Sequence, residues 1–154
     1  MRVAAGGEVT HPKTGARMAP TPLDGPAVDD PSDRRRALAA WLTSSDNQMF
    51  ARNFVNRFWG YFLGRGLVEP IDDLRATNPP SNPELLDALA KDFVAQKFDL
   101  KHLMRTILNS RTYQLSSTAT DDNARDSVFA THYPVKRLTA EQLLDAICFA
   151  AGSP

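Results

Sequence analysis

The side chains best suited to chemistry in this 154-residue chain fall in three places. Asn53, Asn56 and Arg57 lie in an aromatic-rich run, Asp72 and Asp73 follow Glu69 in a proline-rich stretch, and Lys101, Arg105 and Tyr113 come later. At 100° per residue Arg57 stands at the edge of the apolar arc of Phe50 and Phe54, with Asn53 one turn below it. A guanidinium there is costly if buried alone, so it needs a carboxylate or several carbonyls. The first expectation is that Arg57 pins the 67–82 stretch through Asp72, Asp73 or loop carbonyls; anion or ligand binding is the second. Lys101 and Arg105 stand four apart, a like-charge spacing that costs about 0.2–0.5 kcal/mol on a helix unless an anion bridges it. A solvated flank is the plain reading, and docking on an acidic partner is the sharper one. That partner is either another chain or the Asp72-Asp73 corner, with Arg105 expected to couple to Asp73.

Adjacent carboxylates such as Asp72 and Asp73 beside Glu69 could serve general acid–base catalysis or hold a metal. No histidine lies near them in sequence, and loop carboxylates commonly serve as caps or exposed turn residues. His11, His102 and His132 are scattered in no motif, and His102 is expected at the surface. Ser110, Ser116 and Ser117 lack a Gly-x-Ser-x-Gly context, and Gly64-Arg65-Gly66 is too short for a nucleotide fingerprint. The run Arg34-Arg35-Arg36 opens a helix at its positive end, which suggests an external acidic contact or simple solvation. Cys148 lies beside an apolar stripe and reads as a small core residue. No metal or cofactor is expected in this chain, and the eight residues Asn53, Asn56, Arg57, Asp72, Asp73, Lys101, Arg105 and Tyr113 are the candidate polar cluster.

Composition narrows the setting. Eighteen basic and 18 acidic residues cancel, so no polybasic excess draws the chain to nucleic acid or an anionic membrane. A single cysteine excludes an internal disulfide framework, a cysteine-based zinc site and a c-type haem attachment. No apolar run approaches the ~18 residues of a membrane span, and Met1 to Glu8 lack the apolar centre of a signal peptide.

The elements that must position these groups are helical. Residues 1–31 hold five of the 11 prolines and four of the eight glycines, and read as an extended arm. Within it Lys13-Thr14-Gly15 permits a turn between two short extended pieces, a pair that would be marginal alone. From 32 to 154 the period is that of an α-helix. Ser32 or Asp33 caps a helix to about Thr43, with Ala37, Leu38, Trp41 and Leu42 on one face. Asp46 is expected to cap a second, from about Asn47 to Leu63, on which Phe50, Phe54, Phe58 and Phe62 climb one flank while Val55 and Trp59 widen the arc. Gly64-Arg65-Gly66 ends it. Residues 67–82 form a loop, long enough for function to be expected of it.

Asn82 with Pro83 opens a third helix to about Gln96, with Ser81-x-x-Glu84 as a rival cap one residue earlier. Asp99 caps a fourth, to about Ser110. A weaker helix is expected near 123–131, and Thr139-x-x-Gln142 caps the last, with Leu143, Leu144 and Ile147 facing inward and Gly152 just past its end. The fold expected is an all-α irregular array of five to six helices with an extended N-terminal arm.

Several segments in order carry a resemblance. They are Arg36-x-Leu38-x-x-Trp41-Leu42-Thr43-Ser44, Val55-Asn56-Arg57-x-Trp59, Gly64-Arg65-Gly66-Leu67-Val68 and Asp72-Asp73-Leu74. Asn78-Pro79-Pro80-Ser81-x-Pro83, Phe98-Asp99-Leu100-Lys101-x-Leu103, Ser110-x-Thr112-Tyr113 and Pro134-x-x-Arg137-Leu138 continue the series. Over about residues 31–150 the chain resembles the planctomycete-type domain of unknown function numbered fifteen fifty-three, the planctomycete surface domain. The resemblance implies a domain that follows a companion domain in large exported proteins, some with cytochrome-like or carbohydrate-binding modules. It supplies no catalytic residues, and it implies that both ends of this chain are cuts.

The function expected is a non-catalytic interaction or scaffold module of a larger exported protein, its partner a companion domain or another protein. The alternative is part of a hydrolase or haem-coupled oxidoreductase acting on exported polysaccharide-like material, its cleft completed by the companion domain. The two readings differ in geometry: an enzyme needs the polar candidates to converge on one open pocket, whereas a scaffold uses them as caps and internal ties.

Overall fold

The computed structural model describes residues 7–23, 25–28 and 33–152. Two strands and five helices follow in order: β1 (Val9–Thr10), β2 (Arg17–Met18), α1 (Arg34–Leu42), α2 (Gln48–Leu63), α3 (Pro83–Ala95), α4 (Leu100–Leu108) and α5 (Ala140–Ala151). The chain is thus predominantly helical, with one small sheet. It divides into two units, residues 1–51 and 52–154, and the division falls within α2.

In the first unit β1 and β2 pair antiparallel, Val9 opposite Met18 and Thr10 opposite Arg17, around a turn at 11–16. Asp33 caps α1 by accepting from Arg35 N; Ser32 lies outside the described residues. Two of the three arginines of the run, Arg34 and Arg35, find their anions within this unit. Arg34 donates to Gly7 O and to Glu8, which also pairs with Arg17, while Arg35 pairs with Asp33. That guanidinium, with the Arg35 amide, holds the Asp33 carboxyl down at about 2. The acidic contact expected for this cluster is therefore internal. Of the expected apolar face of α1, Ala37, Trp41 and Leu42 are half-buried and Leu38 is exposed. Asn47, not Asp46, tends the start of α2, its side chain accepting from Phe50 N at 3.3 Å.

The core of the second unit is built by α2, α3 and α4. Val55, Trp59 and Leu63 from α2, Leu86, Leu89, Ala90 and Phe93 from α3, and Leu103 and Ile107 from α4 are buried. Spacings of three and four place each set on one stripe. Asn82 caps α3 through Leu85 N at 3.0 Å and Asp99 caps α4 through Lys101 N and His102 N. Beside the aliphatic core runs a file of aromatic rings. Phe98 meets Phe93 edge-on, Phe93 stacks on Phe54, Phe54 on Phe58, and the file continues through Phe62 to Tyr113 and Tyr133. His102 is not simply a surface residue, since its Nε2 lies 2.8 Å from Asp92 Oδ2 and ties α4 to α3.

The turn between α3 and α4 is a Schellman motif without glycine. Lys97 N bonds to Val94 O and Phe98 N to Phe93 O, both at 2.9 Å, and Phe98 packs its ring on Phe93 as the motif requires. Lys97 holds φ at 54° to do so, a left-handed conformation that costs a residue with a Cβ roughly 1–2 kcal/mol. Lys97→Gly should therefore raise stability by roughly 0.5–1 kcal/mol, once the looser unfolded chain is subtracted, or about 1–4 °C in thermal unfolding. An unchanged or lower midpoint would show that Lys97 bears no strain.

Three expectations fail beyond α4. Residues 123–131 are turns, because Asp126 captures the amides a helix would use. In α5 the capping box between Thr139 and Gln142 and the left-handed Gly152 are as expected, but the helix buries nothing. Leu143, Leu144 and Ile147 face outward, Ile147 at 56% and Phe149 at 91% exposure. Cys148 is half-buried rather than core.

Candidate functional site

The loop that follows α2 is held by one buried side chain. Asn56 is wholly inaccessible on the third turn of α2, and its amide closes on the main chain of residues 68–71. Its Nδ2 donates to Val68 O at 3.0 Å and Ile71 O at 2.9 Å, while its Oδ1 accepts from Val68 N at 2.9 Å. Both ends of the amide are thus satisfied, as burial demands. Gly66 passes so close that a Cβ there would collide with Val68 O and lie 2.9 Å from Asn56 Oδ1. Glu69 accepts from Gly66 N at 3.0 Å. Ser81 returns the loop to its start, both its amide and its hydroxyl donating to Leu67 O, so it does not serve the rival capping box. Asn78 adds bonds to Glu69 O and Asp73 O.

Among the eight candidates the structure brings three together: Asn56 and Arg57 on α2, and Asp72 in the loop. Arg57 pairs with Asp72 as expected, at an exposed position where such a pair adds little stability. Asp73 turns instead to Arg75, two residues on, which engages both carboxylate oxygens and holds the carboxyl below its usual range. The expected coupling of Arg105 to Asp73 is therefore not formed. Among the described residues neither Lys101 nor Arg105 makes an ion pair with Asp72 or Asp73. Both lie exposed on α4, and Arg105 adds only a distant pull on Asp99, whose carboxyl is lowered chiefly by the His102 amide. Asn53 is half-buried on α2. Tyr113 belongs to the aromatic file, edge-on to Phe62 and to Tyr133. No group of three or more metal-ligating side chains occurs among the described residues.

A second polar centre, not expected from the sequence, lies at 126–136. The Asp126 carboxylate accepts from Val128 N (2.9 Å), Phe129 N (2.8 Å), Thr131 N (2.8 Å) and Thr131 Oγ1 (2.6 Å). These donors, the Phe129 amide foremost, hold its carboxyl far below the ordinary value. A few residues on, Lys136 donates to Tyr61 O at 2.9 Å and Phe62 O at 2.7 Å, joined by Tyr133 Oη to Phe62 O. Carbonyls left over at the C-terminus of α2 are so satisfied, and burial draws the Lys136 ammonium down. The signal for this centre was Asp126-Ser127, an Asx turn that competes with helix.

Asp126 has a depressed folded pKa, so what it contributes is present above the unfolded value of ~3.9 and is lost as pH falls toward the folded one. Amide exchange at Val128, Phe129 and Thr131 should keep its protection at pH 4 and lose it only well below that. In Asp126→Ala the same amides should be unprotected at every pH. Protection that persists in the variant would show that Asp126 does not hold this loop.

A cavity of about 340 Å³ opens between these elements, its walls drawn from residues 59–66 and 126–136. None of the eight candidates lines it. No curated protein and no solved structure matches the chain. A family profile does match, described as PSD1, protein of unknown function (DUF1553), and it covers residues 34–154. The elements it spans run from α1 through α5, and the chain belongs to the DUF1553 family of unknown function.

Proposed function

We propose that the chain is a non-catalytic interaction module, docking through α5 onto a companion domain or another polypeptide of a larger exported protein. The observation that carries this reading is the helix itself. Ala140, Leu143, Leu144, Ala146, Ile147 and Ala150 cover a continuous arc of α5, and all are exposed. A stripe of that width belongs against another surface. The polar candidates support the same reading: Asn56 clasps the loop, Arg57 and Asp72 tie to each other, and Asp73 holds Arg75. The enzyme alternative asks these groups to line one cleft, and none of them lines the cavity at 126–136. Export rests on the family resemblance alone.

A double substitution, Leu144→Lys with Ile147→Lys, tests the reading. Wild-type chain should bind an apolar surface dye that the variant does not, with thermal midpoints agreeing to within about 2 °C, as for exposed positions. A midpoint lowered by more than about 8 °C would mean that the stripe is core and the proposed docking face does not exist.

A further inference from the structure

The cavity at 126–136 holds two polar groups that the fold leaves unanswered. Nδ1 of His132 is buried with no hydrogen-bond partner among the described residues. Arg65, just past the end of α2, lines the opening, and no described residue pairs with its guanidinium. The other charged groups of the wall are already engaged. The Asp126 carboxylate is saturated by four donors, and the Lys136 ammonium gives two of its three N–H groups to carbonyls and stands over the Tyr61 ring. Two cations against one carboxylate leave the cavity positive. Apart from Ser127, the remaining side chains of the wall are apolar, among them Trp59, Leu63, Val128, Pro134 and Val135. Its volume of about 340 Å³ lies in the range of small-molecule sites.

We infer that this cavity binds a small organic carboxylate with a short apolar or aromatic body. The carboxylate pairs with Arg65, whose planar fork suits two parallel hydrogen bonds. His132 Nδ1 bonds the same carboxylate when it carries the proton, or a hydroxyl beside it when it does not. The body lies against Leu63, Pro134 and Val135. Neutral ligands of the same shape leave the guanidinium without its partner, and inorganic anions leave the apolar wall uncovered, so recognition needs both halves. The inference is independent of the α5 face, because no side chain of α5 lines the cavity.

Amide and imidazole nitrogen spectra of the full chain, titrated with phenylacetate and separately with 2-phenylethanol, test it. Phenylacetate should move the signals of His132, Arg65 and Val135 saturably with a Kd of about 1 mM, and the neutral alcohol should bind at least about tenfold more weakly. Arg65→Met should weaken phenylacetate about tenfold, Arg65→Lys less, and both should leave the rest of the spectrum in place because the side chain is exposed. His132→Phe should also weaken it, with the Arg65 pair deciding the matter if that variant does not fold. Equal binding of acid and alcohol, indifference to Arg65→Met, or no saturable shift at all would overturn the proposal and leave Nδ1 met by a water only.

Discussion

Asn56→Leu should cost about 3–5 kcal/mol in urea unfolding, because it leaves the Val68 amide and the Val68 and Ile71 carbonyls without partners. Leucine keeps the branching and heavy-atom count of asparagine, so no cavity opens; the loss comes from hydrogen bonding, with some crowding by methyl groups at hydrogen-bond distance. Each main-chain group stranded in a dry site costs about 1–3 kcal/mol, and partial hydration of the opened loop keeps the total below the sum. Protease cleavage within 67–82 should accelerate in step. Asn56→Asp sharpens the test. The neutral acid can donate to only one of the two carbonyls, and the carboxylate, which repels both, costs more still, so burial and those oxygens raise its folded pKa above the unfolded value of ~3.9. The sign follows: that variant's relative stability is greatest at low pH and falls as pH rises past the unfolded value. A cost below about 1 kcal/mol for Asn56→Leu, or an Asn56→Asp variant indifferent to pH, would show that the clasp contributes nothing.

Phe93→Ala is expected to cost a similar amount, about 3–5 kcal/mol, by a different route. The ring is 1% exposed, stacks on Phe54 at 5.5 Å and takes the edge of Phe98 at 5.3 Å. Its removal opens a void and breaks the aromatic file where it joins α3 to α2. For a chain of this length the thermal midpoint should fall by roughly 10 °C or more. Phe93→Leu, which refills much of the space, should cost less than half as much. Equal effects of the two substitutions would mean that ring stacking, rather than volume, carries the contribution. The half-buried Phe98 offers a contrast, since Phe98→Ala should lose mainly the edge contact that seals the turn before α4.

How far the sequence reveals this molecule depends on the range of the interaction. Helices α3 and α4 are legible because cap, period and stop lie within a dozen residues of one another: Asn82 with Pro83, and Asp99 before Leu100. Residues 123–131 mislead because Asp126 bonds to amides two to five residues on, a local alternative to helix that apolar periodicity does not register. Asp73 takes Arg75 rather than Arg105 for the same reason, since a partner two residues away needs no loop closure. In α5 the period identifies a shared face correctly, but a period says nothing of what covers that face. The loop clasp is the subtlest case. Arg57 attracts attention because charge is conspicuous, yet Asn56 beside it does the holding, and its partners are main-chain atoms that no residue type announces.

Because Asn56 grips only main chain, its hold does not depend on which side chains the loop carries. Asp72, Arg75, Ala76 and Thr77 stand exposed on a backbone already anchored, and only Gly66, for want of room, and buried Val68 are bound by the clasp itself. The loop is thus a mount whose fittings are exchangeable. Its outward positions can be rewritten for charge or shape while the path of the chain stays the same.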